Sequence, residues 1–139
     1  MAVSSLKRLD SNQELQEYIK FYNSSKPIKG KGVEAKIKIM SFIEDKYFIH
    51  FIPSLNISSY GDSFEESEQM LKESLDSLFD ILLNLKQDLR DAEMSELGWD
   101  KQLYSRRKYT GPYIDKKGIL KEFNISEDTL VQEEILEIA

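Results

Sequence analysis

The stretch Ser59-Tyr60-Gly61-Asp62-Ser63-Phe64-Glu65-Glu66-Ser67, with the leucine run that follows it, decides how the chain is read. Ser63 stands three residues before Glu66. At that spacing a serine hydroxyl takes one free backbone N–H of a helix start and the glutamate takes another. Beyond this cap, Phe64, Leu71, Leu75, Leu78, Leu82, Leu85 and Leu89 recur at steps of three, four and seven, forming one apolar stripe along a helix. Such a stripe requires an apolar surface to cover it, and the residues upstream offer a sheet.

Val33, Ala35, Ile37 and Ile39 alternate with Glu34, Lys36 and Lys38, the pattern of a strand with one wet face. Glu44-Asp45-Lys46 breaks the run. Tyr47 to Ile52, rich in aromatic and β-branched residues, is a second strand that forms an antiparallel hairpin with the first. Pro53 cannot donate to a ladder and ends or bends that strand, and Ile57 to Tyr60 supply a short third strand before Gly61 turns the chain into the helix. The expected fold is α+β: a small antiparallel sheet of three to four strands with one long helix across one face, in the order strand-strand-strand-helix-strand. A short N-terminal helix and an extended C-terminal arm complete it.

The N-terminal helix is read from Ser11 and Glu14, which repeat the capping pattern, and from Leu15, Tyr18, Ile19 and Tyr22 on a narrow stripe. Asn23 to Gly32, with two serines, a proline and two glycines, reads as a linker. The chain thus divides into 1–32, 33–96 and 97–139: helix and linker, sheet-plus-helix domain, and a loop-rich basic segment followed by an acidic strand or arm. At 139 residues it suits one domain with appendages. The lack of cysteine excludes a disulfide scaffold, a thiolate zinc site and a cysteine nucleophile, and is compatible with a reducing cytoplasm. No apolar run has the length of a membrane span and the N-terminus has no signal-peptide core, so a soluble, cytoplasmic protein without a membrane partner is expected.

Tyr47-Phe48-Ile49-His50-Phe51-Ile52-Pro53-Ser54-Leu55, followed after a short gap by Ser59 to Ser67, resembles the core signature of HicB-type antitoxins. That signature is a strand ending in a proline-leucine pair, a short strand, a Gly-Asp-Thr-like turn and a Glu-Ala helix start. Gly61, Asp62, Ser63 and Glu66 occupy the turn and cap. The resemblance covers roughly residues 33–89, with Ser63 where threonine is common and Ser67 where alanine is common. It implies a domain that binds and occludes a small basic ribonuclease toxin without doing chemistry, in a family that often carries a separate DNA-binding segment.

Charge is unevenly spread along a chain of net −6. From Asp62 to Glu96, eleven acids face three bases, and from Asp100 to Lys121, seven bases face two acids. An acidic helix flank suits a basic partner, with Glu65, Glu68, Asp76 and Asp80 as the candidate contact residues. It also serves as a solvated face that keeps a protein dissolved. Asp76 and Asp80, one turn apart, could share a cation, but among so many acids they read as part of that flank. In the basic stretch Trp99, Tyr104, Tyr109 and Tyr113 interleave with Arg106, Arg107 and Lys108, residue types that stack bases and neutralise phosphates. The alternative function is therefore a stand-alone regulator touching nucleic acid through 99–121. The competing reading has the same stretch folded back on the acidic helix.

Residues 120–129 superficially resemble a helix-turn-helix with Ser126 opening the second helix. That helix would present five acids and no base, against the phosphate contacts that dominate DNA affinity. Thr129 to Ile138 reads better as a strand or acidic arm pairing with the sheet or with a second subunit, and the apolar surplus points to a homodimer. His50 is the chain's single histidine and lies in a strand beside Phe48 and Ile52, so a packed imidazole is expected over a general base. No nucleophile stands beside a base, no glycine loop cradles phosphate and no ligand set implies a metal or cofactor; a non-enzyme is expected.

Overall fold

Strand β3 (Val33–Glu44) runs for twelve residues through the middle of the sheet; from Val33 to Ile39 its odd positions are apolar and its even positions polar, and from Met40 to Phe42 both faces are buried. The computed structural model describes residues 5–8, 16–22, 32–102, 108–112 and 130–138. Around β3 are β1 (Ser5–Arg8), β2 (Tyr18–Phe21), β4 (Tyr47–Ile52), β5 (Ile57–Gly61), α1 (Phe64–Asn84), α2 (Gln87–Glu96), β6 (Asp100–Lys101), β7 (Lys108–Thr110) and β8 (Gln132–Ile138). The fold is α+β, an antiparallel sheet with a long helix packed against it, as the alternation and the leucine stripe predict.

The sheet is larger than three or four strands. Eight described strands pair in the order β1-β8-β3-β2-β7-β6, with β4 on β3 and β5 on β4, every pair antiparallel. Strands from all three segments of the chain therefore share one sheet. Strand β8 covers one edge of β3 from Ala35 to Ser41. On the opposite edge β2 pairs with Val33 to Lys36, and β4 takes over from Met40 to Glu44. Between them the ladder lacks a strand, and a side chain fills the place: the Lys38 N–H donates to Glu17 Oε1 at 2.9 Å. The hairpin turn has Asp45 at φ 55°, and the 3₁₀ turn Pro53–Leu55 ends on Asn56 at φ 53°, left-handed positions that aspartate and asparagine tolerate.

Two expectations are corrected. The short helix ending at Tyr22 is a strand over its described part, with Tyr18–Phe21 as β2. Ile19 and Phe21 are buried while Tyr18 and Lys20 are not, a two-residue alternation that competes with the helical stripe and wins because β3 has an edge to fill. The Ser11–Glu14 cap and the linker before Gly32 lie outside the described residues. The long helix is present as α1, but the leucine stripe read through Leu89 runs past its end into α2, and the two helices are separated at Leu85 and Lys86, both extended with ψ near 150°. Neither glycine nor proline marks that break. Arg90 of α2 makes it, donating from Nε to the Leu82 carbonyl at 2.8 Å and from Nη2 to the Leu83 and Leu85 carbonyls at 3.0 and 3.3 Å. These bonds satisfy carbonyls that a helix end leaves open. The guanidinium also lies 4.8 Å over the Phe21 ring.

The core lies between α1 and the odd-numbered face of β3. Leu71, Leu75, Phe79 and Leu82 of α1 meet Ile37, Ile39, Ile52, Leu136 and Ile138. Phe21 stands edge-on to both Phe79 and Tyr109, joining the helix to the β2–β7 side. A smaller cluster of Met40, Phe42 and Phe51 occupies the other face. Among the described residues no helix is long and apolar enough to cross a membrane.

Arg90→Met is expected to lower stability in urea by about 2 kcal/mol, because three charge-assisted bonds to helix-end carbonyls are lost. Arg90→Lys should fail to restore it, since one ammonium cannot span three carbonyls and a ring. Glu17 gives a second test. Burial pushes its carboxyl above the ordinary 4.5, against the Ser54 hydroxyl and the Lys38 N–H, which favour the ionised form. Its contribution to stability is therefore full below pH 4.5 and falls as pH rises through the folded pKa. Unfolding midpoints of Glu17→Gln relative to the native chain should rise as pH is taken from 4.5 towards 8, and a pH-independent difference would contradict this.

Candidate functional site

Four polar residues form a rung across the apolar face under α1. Gln132 lies opposite Ser41, Ser41 opposite His50, and His50 opposite Ser59, so strands β8, β3, β4 and β5 each contribute one. Directly opposed residues of antiparallel strands point to the same face. Ser41, His50 and Ser59 are buried, His50 being only 1% exposed.

The turn into α1 fixes what covers this rung. Ser63 Oγ accepts from the Glu66 N–H at 3.1 Å, the serine half of the predicted cap. Asp62 is exposed beside it. Gly61 is buried, and a Cβ there would lie 2.7 Å from the Ser67 backbone nitrogen, so a side chain would push the first turn off β5. That close approach brings Ser67, fully buried, down onto the rung. The Ser59 hydroxyl donates to the Ser67 carbonyl at 2.7 Å, and Ser67 Oγ lies 2.8 Å from His50 Nδ1.

With its own proton committed, Ser59 Oγ can only accept from the Ser67 hydroxyl 3.4 Å away, so Ser67 donates either there or to Nδ1, and the imidazole tautomer sets which. Both tautomers of the neutral ring satisfy Nδ1 in this way. Burial pushes the His50 pKa down and nearby Lys72 pushes the same way, while Glu68 opposes them. Nε2 is buried and has no hydrogen-bond partner. Phe64, the first residue of α1, packs on the ring with centroids 4.6 Å apart.

Beside the imidazole is a cleft of about 190 Å³ between the β3–β4 hairpin, the start of α1 and the approach to β8. Its apolar walls include Ile43, Phe48, Phe64 and Leu130, and Ser41, His50 and Gln132 supply its polar groups. Ile43 is 57% and Leu130 81% exposed, so the apolar mouth faces solvent. Sequence reasoning placed His50 in a packed strand but missed this assembly. The available signal was polar Ser41 and Ser59 standing in the inward phase of otherwise apolar strands.

The other predicted residues are dispersed. Glu65 and Asp80 are exposed on α1, Asp76 is half-buried, and Glu68 is half-buried and paired with Lys72 at 2.9 Å. Burial, with a smaller contribution from Asp80, raises the Asp76 pKa, although a positive charge nearby opposes the shift. Among the described residues no group of three or more histidines and carboxylates could hold a metal ion.

Two of the aromatics proposed to stack bases are in the core instead. Trp99 is 2% exposed and donates from Nε1 to the Ser54 carbonyl at 2.7 Å. Tyr109, also buried, donates its hydroxyl to Asp91. Asp91 further accepts from Lys101 at 2.6 Å and Gln87 at 2.8 Å. Burial alone would raise its carboxyl, but these three donors outweigh it and hold the group below the ordinary range. That contact joins the basic segment to α2, as the fold-back reading expects. Lys108 lies 4.9 Å over the Tyr18 ring, and the Tyr18 hydroxyl donates to Glu34. Burial and that carboxylate push Tyr18 up to about 12. Arg106, Arg107, Tyr104, Tyr113 and the helix-turn-helix-like stretch 120–129 lie outside the described residues.

The chain matches no protein-family model, no curated protein and no solved structure.

Because His50 is the single histidine, its ring protons report its titration without assignment. The expected midpoint lies below the ordinary 6.5, and the unfolding midpoint should decline as pH falls below 6.5 through the folded pKa. Titration at or above 6.5 would contradict the buried neutral ring.

Proposed function

We propose that this protein is a non-catalytic, cytoplasmic binding protein that occludes a small basic ribonuclease in the manner of HicB-type antitoxins. The observation supporting this reading is the outward face of α1. Met70 is 41% and Ile81 60% exposed there, among exposed Glu65, Glu66, Glu73 and Asp80. The helix's single base, Lys72, is tied to Glu68. Apolar anchors within a rim of one charge sign suit a partner of opposite sign, which the field steers and the anchors hold. The burial of Trp99 and Tyr109 weighs against the alternative in which that segment stacks on bases.

The same reading includes a homodimer. Strand β5 pairs only with β4 among the described strands, and its Tyr60 packs edge-on with Tyr47, both rings exposed. An open strand edge flanked by exposed aromatics favours pairing with a second copy.

Coexpression with a small basic ribonuclease encoded beside this chain, followed by co-purification, tests the main reading. The pair should co-elute, and Glu65→Lys with Glu73→Lys should weaken binding by about tenfold or more and flatten its salt dependence. Binding indifferent to both substitutions would remove α1 as the contact. Sedimentation should give a dimer at micromolar concentration that Tyr60→Lys shifts to monomer.

A further inference from the structure

We propose that the cleft beside His50 is a binding site for a small neutral molecule, mostly apolar, that carries one hydrogen-bond acceptor, and that His50 carries its proton on Nε2 to meet it. It is separate from the acidic outer face of α1, and the inference does not rest on the partner reading above.

Three features define the ligand. The volume of about 190 Å³ sets its size. A dry engineered cavity of about 150 Å³ takes up benzene, so a substituted ring of on the order of ten non-hydrogen atoms is appropriate here. The walls set its body: Ile43, Phe48, Phe64 and Leu130 offer aliphatic and aromatic contacts. The imidazole sets its polar group. His50 lines the cleft, its Nδ1 is occupied by Ser67, and Nε2 has no partner although the residue is 1% exposed. An N–H buried without an acceptor costs the full desolvation penalty of the group, and a ligand oxygen would recover it.

The ligand's neutrality follows from the rest of the lining. None of the described lining residues is a carboxylate, lysine or arginine, and burial disfavours the charged form of the imidazole. A carboxylate would lose its water without gaining a countercharge. A ketone, amide or similar acceptor loses far less. Ser41 and Gln132, on the same rung as His50, are placed to supply further hydrogen bonds to such an oxygen.

The test uses the full chain, acetophenone as probe, isopropylbenzene as its isostere without an acceptor, and benzoate as its charged counterpart. Long-range ¹H–¹⁵N spectra of the imidazole contain one set of signals, because the chain has one histidine. Before addition, Nε2 should appear protonated and Nδ1 unprotonated. Acetophenone should shift the Nε2 signal saturably and bind about tenfold more tightly than isopropylbenzene, the worth of one recovered hydrogen bond. Benzoate should bind more weakly than acetophenone.

His50→Phe keeps an aromatic ring but no donor, and should equalise acetophenone and isopropylbenzene. Should that variant fail to fold, Ile43→Trp carries the test. It alters an exposed position at the mouth and should reduce acetophenone binding at least about fivefold, with the His50 tautomer unchanged. Absence of a saturable shift at millimolar probe, equal affinity for acetophenone and isopropylbenzene in the native chain, or tighter binding of benzoate would each overturn the proposal.

Discussion

Strand β3 presents two rows of backbone donors and acceptors to the sheet, and satisfying both rows constrains most of what surrounds it. One row is met by β8. The other is divided, with β2 along the first third and β4 along the last. At the junction Glu17 supplies the missing acceptor from its side chain. Buried backbone N–H groups are almost always paired, so some residue has to do this once two strands share an edge end to end. The cost is a carboxyl kept away from water.

The divided edge explains which parts of the fold were legible in the sequence. The meander from Val33 to Gly61 and the capped start of α1 are local patterns: alternation, a polar turn, a proline, a serine three residues before a glutamate. Periodicity carries that information within a few residues. Strands β1, β6 and β7 have four, two and three residues, too few for alternation to register. β2 resembled a helix because Leu15, Tyr18, Ile19 and Tyr22 also fit a helical stripe. For β8 the sequence left open whether it joins its own sheet or another subunit's, since that choice depends on a register with residues about a hundred positions away. The break before α2 was invisible for a related reason, because its cause is a side chain folding back onto the carbonyls of the preceding helix. Leu89, counted on the leucine stripe, is consequently exposed, and Phe79, left off it, is in the core.

The candidate site has the same character. His50 was identified as a packed residue of an apolar strand, but its partners come from four other elements. Ser67, where the resembled family commonly has alanine, hydrogen-bonds the imidazole at Nδ1. The acidic flank of α1, by contrast, followed from simple counting along a helix. It faces outward because the opposite stripe is needed for the core.

The placement of β8 also bears on the order in which the chain folds. The meander and α1 are contiguous in sequence and assemble through short loops, whereas β8 must return from about a hundred residues away to insert between β1 and β3. Until it arrives, seven consecutive residues of β3 present an unpaired edge, and β1 has no strand to dock on. A nascent sheet with a long open side can capture a strand from a neighbouring molecule. Lys36 of β3 is opposite Glu137 of β8, and Lys38 stands diagonal to both Glu133 and Glu137 on the same face, so opposite charges favour the intramolecular match. Lys36 and Glu137, opposed in register, keep that contact in the folded protein at 3.7 Å.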